Sequence, residues 1–547
     1  MMKYPIGIQT FSQLIEDGYV YVDKTDLVYQ LVSRGKVYFL SRPRRFGKSL
    51  LISTLESYFL GRRDLFKGLA IDALEQEWLE YPVFKLSFAT GRFTNADELE
   101  KTLVDFVGKQ EERYGRKPYG STLANRFKNV VEAAHEKTGR RVVVLVDEYD
   151  KPLLDVLDSG VAVTRPGGTQ IPLEEYNREI LKGFYGVFKD ADADLQFVFL
   201  TGVTKFSQVS VFSGFNQPDD ISIDTRYDTL CGITREEMLT VFGGPIRSLA
   251  VSQGVSYDEV VAMLQRRYDG YHFSKRMRGV FNPFSLLNCF AKGDIADYWF
   301  ASGTSEYLMR LMANEKMNIC DFIGMDYEAS KFVDYKATRQ MPLPMLYQSG
   351  YLTIKGYDRE FNTYRLDFPN EEVRSGMVSL LAADYFSVQG DDESWVRDVT
   401  RSLRQGDLDT FKLELTSLLS GISYRFQRKN DVRECERHFH YTFYLIMQML
   451  GRFNVYVEKE TSRGRIDCVL ECPNYVYIFE FKLNSTAADA LRQIDVKGYT
   501  TPYAADPRTL YRVGISFSSD TGTINDFAYL PDAGRAGQKC IIQKSYE

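Results

Sequence analysis

The segment Ser41-Arg42-Pro43-Arg44-Arg45-Phe46-Gly47-Lys48-Ser49 joins an apolar run, KVYFL, to the helix-patterned stretch KSLLISTLESYFL. A loop between a strand and a helix turns backbone N–H groups toward an anion at the helix N-terminus. In such a loop Gly47 permits close backbone approach, Lys48 suits the β- and γ-phosphates of a nucleotide, and the Ser49 hydroxyl suits Mg²⁺. Arg44, Arg45, Phe46 and Leu50 complete the candidate nucleotide-binding set. Arg42 stands where such loops usually begin with Gly, so the loop alone is a weak signal. Arg44 and Arg45 fit a phosphate contact or a neighbouring-subunit contact no better than solvated charge.

A second group strengthens the first. The apolar run Val142–Val146 leads directly into Asp147-Glu148. Two acids at the end of a buried strand suit ATP hydrolysis, with Asp147 on Mg²⁺ through water and Glu148 polarising the attacking water. GKS alone, or a DE pair alone, occurs often without nucleotide; their order and shared context carry the reading. The strand-like LQFVFL then ends in Thr201-Gly202-Val203-Thr204-Lys205. Thr201 and Lys205 are candidates for sensing the γ-phosphate, with the start of a surface loop as the even alternative.

A third group lies near the C-terminus. RIDCVL carries Asp467, and YVYIFEFK carries Glu480 and Lys482 two residues apart. Period two puts Glu480 and Lys482 on one strand face. If the two runs pair around ECPN, Asp467 stands beside Glu480. The two carboxylates would then share a divalent ion, Mg²⁺ or Mn²⁺, with Lys482 beside the attacking hydroxide, which is the arrangement of metal-assisted phosphodiester hydrolysis. The plainer alternative is a cross-strand ion pair. The apolar surroundings count against it, because a carboxylate there needs a partner or a metal. Glu434 and Glu436, or Glu458 and Glu460, are further acidic candidates.

The elements that must position these groups follow from periodicity. Residues 24–34, 96–113, 121–138 and 174–189 read as helices, and 83–88, 142–146 and 195–200 as strands. Continuous apolar strands alternating with helices predict a doubly wound parallel sheet. The stretch 158–172, DSGVAVTRPGGTQIP, reads as a flexible surface insertion. The expected organisation is an ATPase domain over 1–235, a helical lid-like region over 236–330 and a winged-helix-like segment over 331–390. Its hairpin would be YLTIKGY with NTYRLDF. A helical linker over 391–436 and an α/β domain over 437–547 complete it, with strands FNVYVEKE, RIDCVL and YVYIFEFK and a helix over 487–499.

Composition narrows the class. The chain has 547 residues, 44% of them hydrophobic, and a net charge of -6, which argues against a generally basic nucleic-acid coat protein. Seven scattered cysteines with no CxxC pair suggest free thiols in a reducing cytoplasm. His438 and His440 read better as a helix-surface pair than as metal ligands. No signal-peptide pattern or membrane-length apolar run is present, so a soluble, cytoplasmic protein is expected.

The motifs SRPRRFGKSLL, VVVLVDEYDKPLL, FLTGVTKFS, YDGYHF, NPFSLLN, YWFASGT, YQSGYLTI and FPNEEVR resemble the AAA-ATPase-like proteins of bacteria along nearly the whole chain. The resemblance implies an N-terminal P-loop ATPase domain fused to a C-terminal domain of the PD-(D/E)XK nuclease superfamily. RPRRFG is that family's own form of the loop, which makes Arg42 less of a departure. Asp467, Glu480 and Lys482 match the superfamily signature. Gln493 and Tyr499 resemble the Q…Y element that often follows it, where Gln493 would help hold metal-bound water or phosphate. The function expected is ATP-controlled hydrolysis of nucleic acid, DNA before RNA, in a chain that could form homo-oligomers. The alternative is an ATP-driven signalling or oligomerisation switch whose nuclease-like domain only binds nucleic acid or protein.

Overall fold

The computed structural model describes residues 2–165, 167–205, 218–300, 319, 322–333, 342–386, 394–420, 432–449, 453–461 and 463–531. The chain divides into two compact units, Met1–Arg374 and Ser375–Glu547.

The first unit is built on a five-stranded, all-parallel sheet. Its strands are β1 (Val37–Ser41), β2 (Val83–Ser87), β3 (Val142–Asp147), β6 (Leu195–Gly202) and β7 (Asp219–Asp220), in the spatial order β2-β3-β6-β1-β7. Every residue of β3 and nearly all of β6 is buried, as continuous Val/Leu/Phe runs require when helices cover both faces of a sheet. Those helices are bounded by local signals. Asn95 caps Ala96–Tyr114 by accepting from the Glu98 N–H, and Thr122 caps Leu123–Thr138 by accepting from the Asn125 N–H. A third helix, Leu173–Asp190, lies close to the sequence-based range.

The stretch 158–172 corrects an expectation. It contains a hairpin, β4 (Ala162–Thr164) with β5 (Gln170–Pro172), paired from Ala162↔Pro172 to Thr164↔Gln170. Alternation over three residues is too short to be read as a strand.

Beyond the sheet, helices Arg235–Gln253, Tyr257–Tyr268 and Pro283–Lys292 pack into one apolar cluster around Phe242, Leu264 and Leu286. Thr234 and Ser256 each open a helix with a capping box. This region also holds a three-stranded sheet, β8 (Ile233–Thr234), β9 (Tyr271–His272) and β10 (Gly279–Phe281), in the order β8-β10-β9. The hairpin expected from YLTIKGY and NTYRLDF is β12 (Thr353–Asp358) with β13 (Thr363–Asp367), and a strand not anticipated, β11 (Met325–Glu328), pairs with β13.

The second unit carries a mixed sheet in simple sequence order: β14 (Asn454–Thr461), β15 (Gly464–Glu471), β16 (Tyr475–Leu483), β17 (Thr509–Phe517) and β18 (Ile524–Pro531). All neighbours are antiparallel except β16 and β17, which run parallel and are joined across the helix Ala487–Lys497. Thr486 caps that helix and Gly498 ends it. Ile466, Val476, Ile478, Leu491 and Ile494 form the core between helix and sheet. On the other face, Phe443 and His440 of the helix Val432–Met449 pack edge-on against Phe481. His440 is thus engaged with the apolar face of β16, not displayed on a helix surface as expected. The side chains of Glu434, Glu436, His438, Glu458 and Glu460 lie outside the described residues.

Candidate active sites

In the first unit β6 lies between β1 and β3, so the loop after β1 and the acids after β3 flank the C-terminal end of one central strand. Gly47 adopts φ +89°, and the helix Lys48–Phe59 begins at the next residue. Arg45, two residues earlier, is also left-handed, with φ +67°. Together they bend the loop over the helix N-terminus. The Lys48 ammonium donates to the Arg42 and Pro43 carbonyls, both at 2.9 Å. A polyanion entering the loop would take over those two donations. Burial pushes the Lys48 pKa down, while Asp147, Asp150 and Glu148 act to raise it.

The candidate residues do not all face the same way. Lys48, Ser49, Leu50, Gly47, Arg44, Arg45 and Glu148 line a cleft of about 530 Å³, a size typical of small-molecule sites. The Arg45 guanidinium lies 5.0 Å over the Phe284 ring on the cleft's rim. The Phe46 side chain turns inward against Tyr271 and Phe273, so its contribution to a ligand is limited to backbone. Asp147 is buried and accepts from the Glu148 N–H at 3.1 Å. Glu148 takes a left-handed backbone, φ +53°, which is uncommon for a residue with a long side chain. Burial, then the charge of Asp147, raises its pKa.

Thr201 sits opposite Leu40 in the β1–β6 register, one step past the Val146↔Leu200 pair. Its hydroxyl is buried with no hydrogen-bond partner among the described residues. Lys205 is different, because its ammonium pairs with Asp220 at 2.7 Å.

Several contributors to this site were not legible in the sequence. Arg42 is almost fully buried, with its guanidinium 4.1 Å from the Phe273 ring centroid and donating to the Ser222 and Tyr227 carbonyls. It props the loop from behind. Residues Pro5–Gln9 and Phe284 line the cleft as well. Asp150 also lines it, and its only sequence signal was a further carboxylate in VVVLVDEYD.

In the second unit the register Cys468↔Phe479 places Asp467 beside Glu480 at the next step. One Asp467 oxygen accepts from the Phe481 N–H at 2.8 Å. Glu480 is 1% exposed. Its Oε1 accepts from the Gln493 amide and lies 3.4 Å from the Lys482 ammonium. Lys482 in turn donates to the Gln493 carbonyl oxygen at 2.8 Å. Tyr499 donates to the Arg465 carbonyl oxygen at 2.8 Å. Burial first, then the charge of Asp467, pushes the Glu480 carboxyl up to about 8. Its Oε2 is buried and has no hydrogen-bond partner among the described residues. A carboxylate pair with one orphaned inward oxygen, next to a lysine, suits a divalent cation. Among the described residues no cluster of three or more His, Cys, Asp or Glu is poised for metal, so the set there is the pair alone.

Comparison with known proteins finds one family match in each unit. The model of the family described as "Predicted AAA-ATPase" matches residues 5–212, and that of the "PD-(D/E)XK nuclease superfamily" matches residues 434–527. A protein of Azotobacter chroococcum mcd 1, described as "Uncharacterized protein in vnfD 5'region", is 35% identical over 536 residues. The match spans 96% of this chain and 98% of that one. The chain belongs to the AAA-ATPase-like family with a PD-(D/E)XK domain. Each family match contains one of the two sites: the AAA-ATPase-like match holds Lys48, Asp147 and Glu148, and the nuclease match holds Asp467, Glu480 and Lys482. Among the described residues no helix is long and apolar enough to cross a membrane.

Proposed function

We propose that the first unit binds and hydrolyses ATP with Mg²⁺, and that its nucleotide state controls metal-dependent hydrolysis of nucleic acid, DNA before RNA, in the second. The observation that carries the nuclease half is the buried, unpartnered Glu480 Oε2 beside Asp467. In the ATPase, Lys48 exchanges its two carbonyl partners for phosphate oxygens. Ser49 and Asp147 would hold Mg²⁺, Glu148 would orient the attacking water, and Thr201 would offer its hydroxyl toward the γ-phosphate. Arg44 and Arg45 reach phosphate from the cleft rim.

In the nuclease, Asp467 and Glu480 would hold Mg²⁺ or Mn²⁺. The metal would lower the pKa of water and polarise the scissile phosphate. Gln493 fixes Glu480 and Lys482 in one hydrogen-bonded group. Lys482 places its positive charge where an attacking hydroxide would stand. The four described cysteines are free, which fits a reducing cytoplasm; a homo-oligomer is also part of this reading.

The test is a cleavage assay on single- and double-stranded DNA and RNA, with Mg²⁺ or Mn²⁺, with and without ATP. Cleavage that is lost in Asp467→Ala and altered by ATP supports the reading. Binding without cleavage in either metal favours a switch whose nuclease-like domain only binds.

A further inference from the structure

Asp150 is a buried carboxylate to which the proposed ATPase chemistry assigns no role. It is 1% exposed and stands two residues after Glu148. Its Oδ2 accepts three hydrogen bonds from the segment that follows β6: from the Val203 N–H at 2.9 Å, the Thr204 N–H at 2.6 Å and the Thr204 hydroxyl at 2.7 Å. The neighbouring Tyr149 adds two more ties, its N–H to the Thr201 carbonyl at 3.1 Å and its hydroxyl to the Thr204 carbonyl at 2.9 Å. Gly202 lets this happen. A Cβ there would lie 2.4 Å from Asp150 Oδ1 and 2.7 Å from the Tyr149 ring.

We propose that Asp150 is a positioning residue for ATP hydrolysis, clamping the turn that carries Glu148 to the Val203–Thr204 segment and so fixing where Glu148 stands over the cleft. The inference rests on the ATPase reading above. Glu148 needs such a clamp because its left-handed backbone is an unfavourable conformation that persists only where surroundings over-determine it. The two segments are the ends of adjacent strands β3 and β6, so the clamp joins the proposed water-orienting acid to the strand carrying Thr201. The far side of the clamped segment is anchored too. The Lys205 N–H donates to Gln348 Oε1 at 2.9 Å, and Gln348 Nε2 donates to the Phe332 and Val333 carbonyls.

An Asp150→Ala variant strips three buried donors of their acceptor and so confounds folding with catalysis; the test therefore uses Thr204. Thr204→Val keeps the side-chain volume and both backbone donors and deletes only the hydroxyl bond. We expect kcat for ATP hydrolysis to fall about tenfold, the scale of one hydrogen bond to a charged group. The Kd for a fluorescent ATP analogue should stay within about twofold. Thr204→Ser, which restores the hydroxyl, should recover kcat. The proposal is overturned if Thr204→Val turns over ATP like the wild type. It is equally overturned if kcat, Kd and Tm all worsen together, or if Thr204→Ser is as impaired as Thr204→Val. A wild-type chain that hydrolyses no ATP sinks the ATPase reading and this one with it, whereas normal wild-type turnover with unaffected variants sinks this one alone.

Discussion

The two candidate sites handle their buried charges in opposite ways. In the first unit three buried charged groups are already answered by protein: Lys48 by two loop carbonyls, Asp150 by three donors, Lys205 by Asp220. In the second unit Glu480 keeps one buried oxygen with no partner among the described residues and a carboxyl pushed far above its usual range. The first arrangement suits a ligand that comes and goes, because protein contacts stand in for it when it leaves. The second suits a cation that completes the site. An unsatisfied buried carboxylate is costly without one, whereas a phosphate loop that satisfies itself is not.

The largest expected effect tests the first half of this contrast. Glu148→Gln keeps the shape of the side chain and removes its basicity. ATP turnover should fall by roughly 10³, within the range for losing a general base, while ATP binding persists because Lys48 and the loop are untouched. Single-turnover hydrolysis alongside ATP binding separates the two. Normal turnover in this variant would mean that the left-handed acid is a structural turn residue.

The second unit should respond more in binding than in rate. Glu480→Gln removes one charge of the pair, and Mn²⁺ affinity by calorimetry should fall by at least about a hundredfold, the upper end of what outer-shell changes already cost. The same titration in Lys48→Ala should be unchanged. If Glu480→Gln binds Mn²⁺ as the wild type does, the pair is an ion-pair motif and the contrast between the sites disappears.

Acidity sharpens the same point. With Glu480 held to about 8 when metal-free, against an ordinary value of 4.5, the folded chain keeps a proton that the unfolded chain has released. Metal-free stability of the second unit therefore falls as pH rises from about 4.5 to about 8 and levels off beyond. Metal must displace that proton, so apparent affinity should rise about tenfold per pH unit below that value and flatten above it. Calorimetry in buffers of differing ionisation heat reads the released proton directly. An affinity flat between pH 6 and pH 8 would show that the pair is already ionised.

What the sequence disclosed follows from where the signals are local. Strands such as VVVLVD and LQFVFL, buried on both faces, announce themselves as apolar runs, and the helices Ala96–Tyr114 and Leu123–Thr138 carry their own caps. The pairing of Asp467 with Glu480 was legible because ECPN forces a tight hairpin and period two does the rest. Strands of two to four residues, β9 to β11, show no period at that length and lay inside a region read as helical. Arg42 was read against a glycine pattern; its role became visible only once Phe273, Ser222 and Tyr227 were seen around it. These partners lie about 180 residues or more away in sequence. Asp150 escaped for the same reason, since its partners lie just past the end of another strand, over fifty residues on.

The smallest effect expected concerns the group that keeps the second site in order. Gln493 is to Glu480 what Thr204 is to Asp150, a neutral hydrogen-bonding side chain holding a buried acid from a neighbouring element. The parallel is incomplete, because Gln493 also accepts from Lys482 and so spaces a cation from the carboxylate that attracts it. Gln493→Leu should leave Mn²⁺ binding within a fewfold of wild type while slowing cleavage about tenfold, as outer-shell losses do. With the spacer gone, Lys482 is free to close on Glu480 Oε1 and leave the place beside the attacking hydroxide, which slows the chemistry while Oε2 stays open to the metal. Gln493→Glu should be worse than Gln493→Leu, because a third negative charge would capture Lys482 outright. If both variants cut like the wild type, Lys482 does not need to be held, and the hydrogen-bonded group around Glu480 is packing with no part in the chemistry.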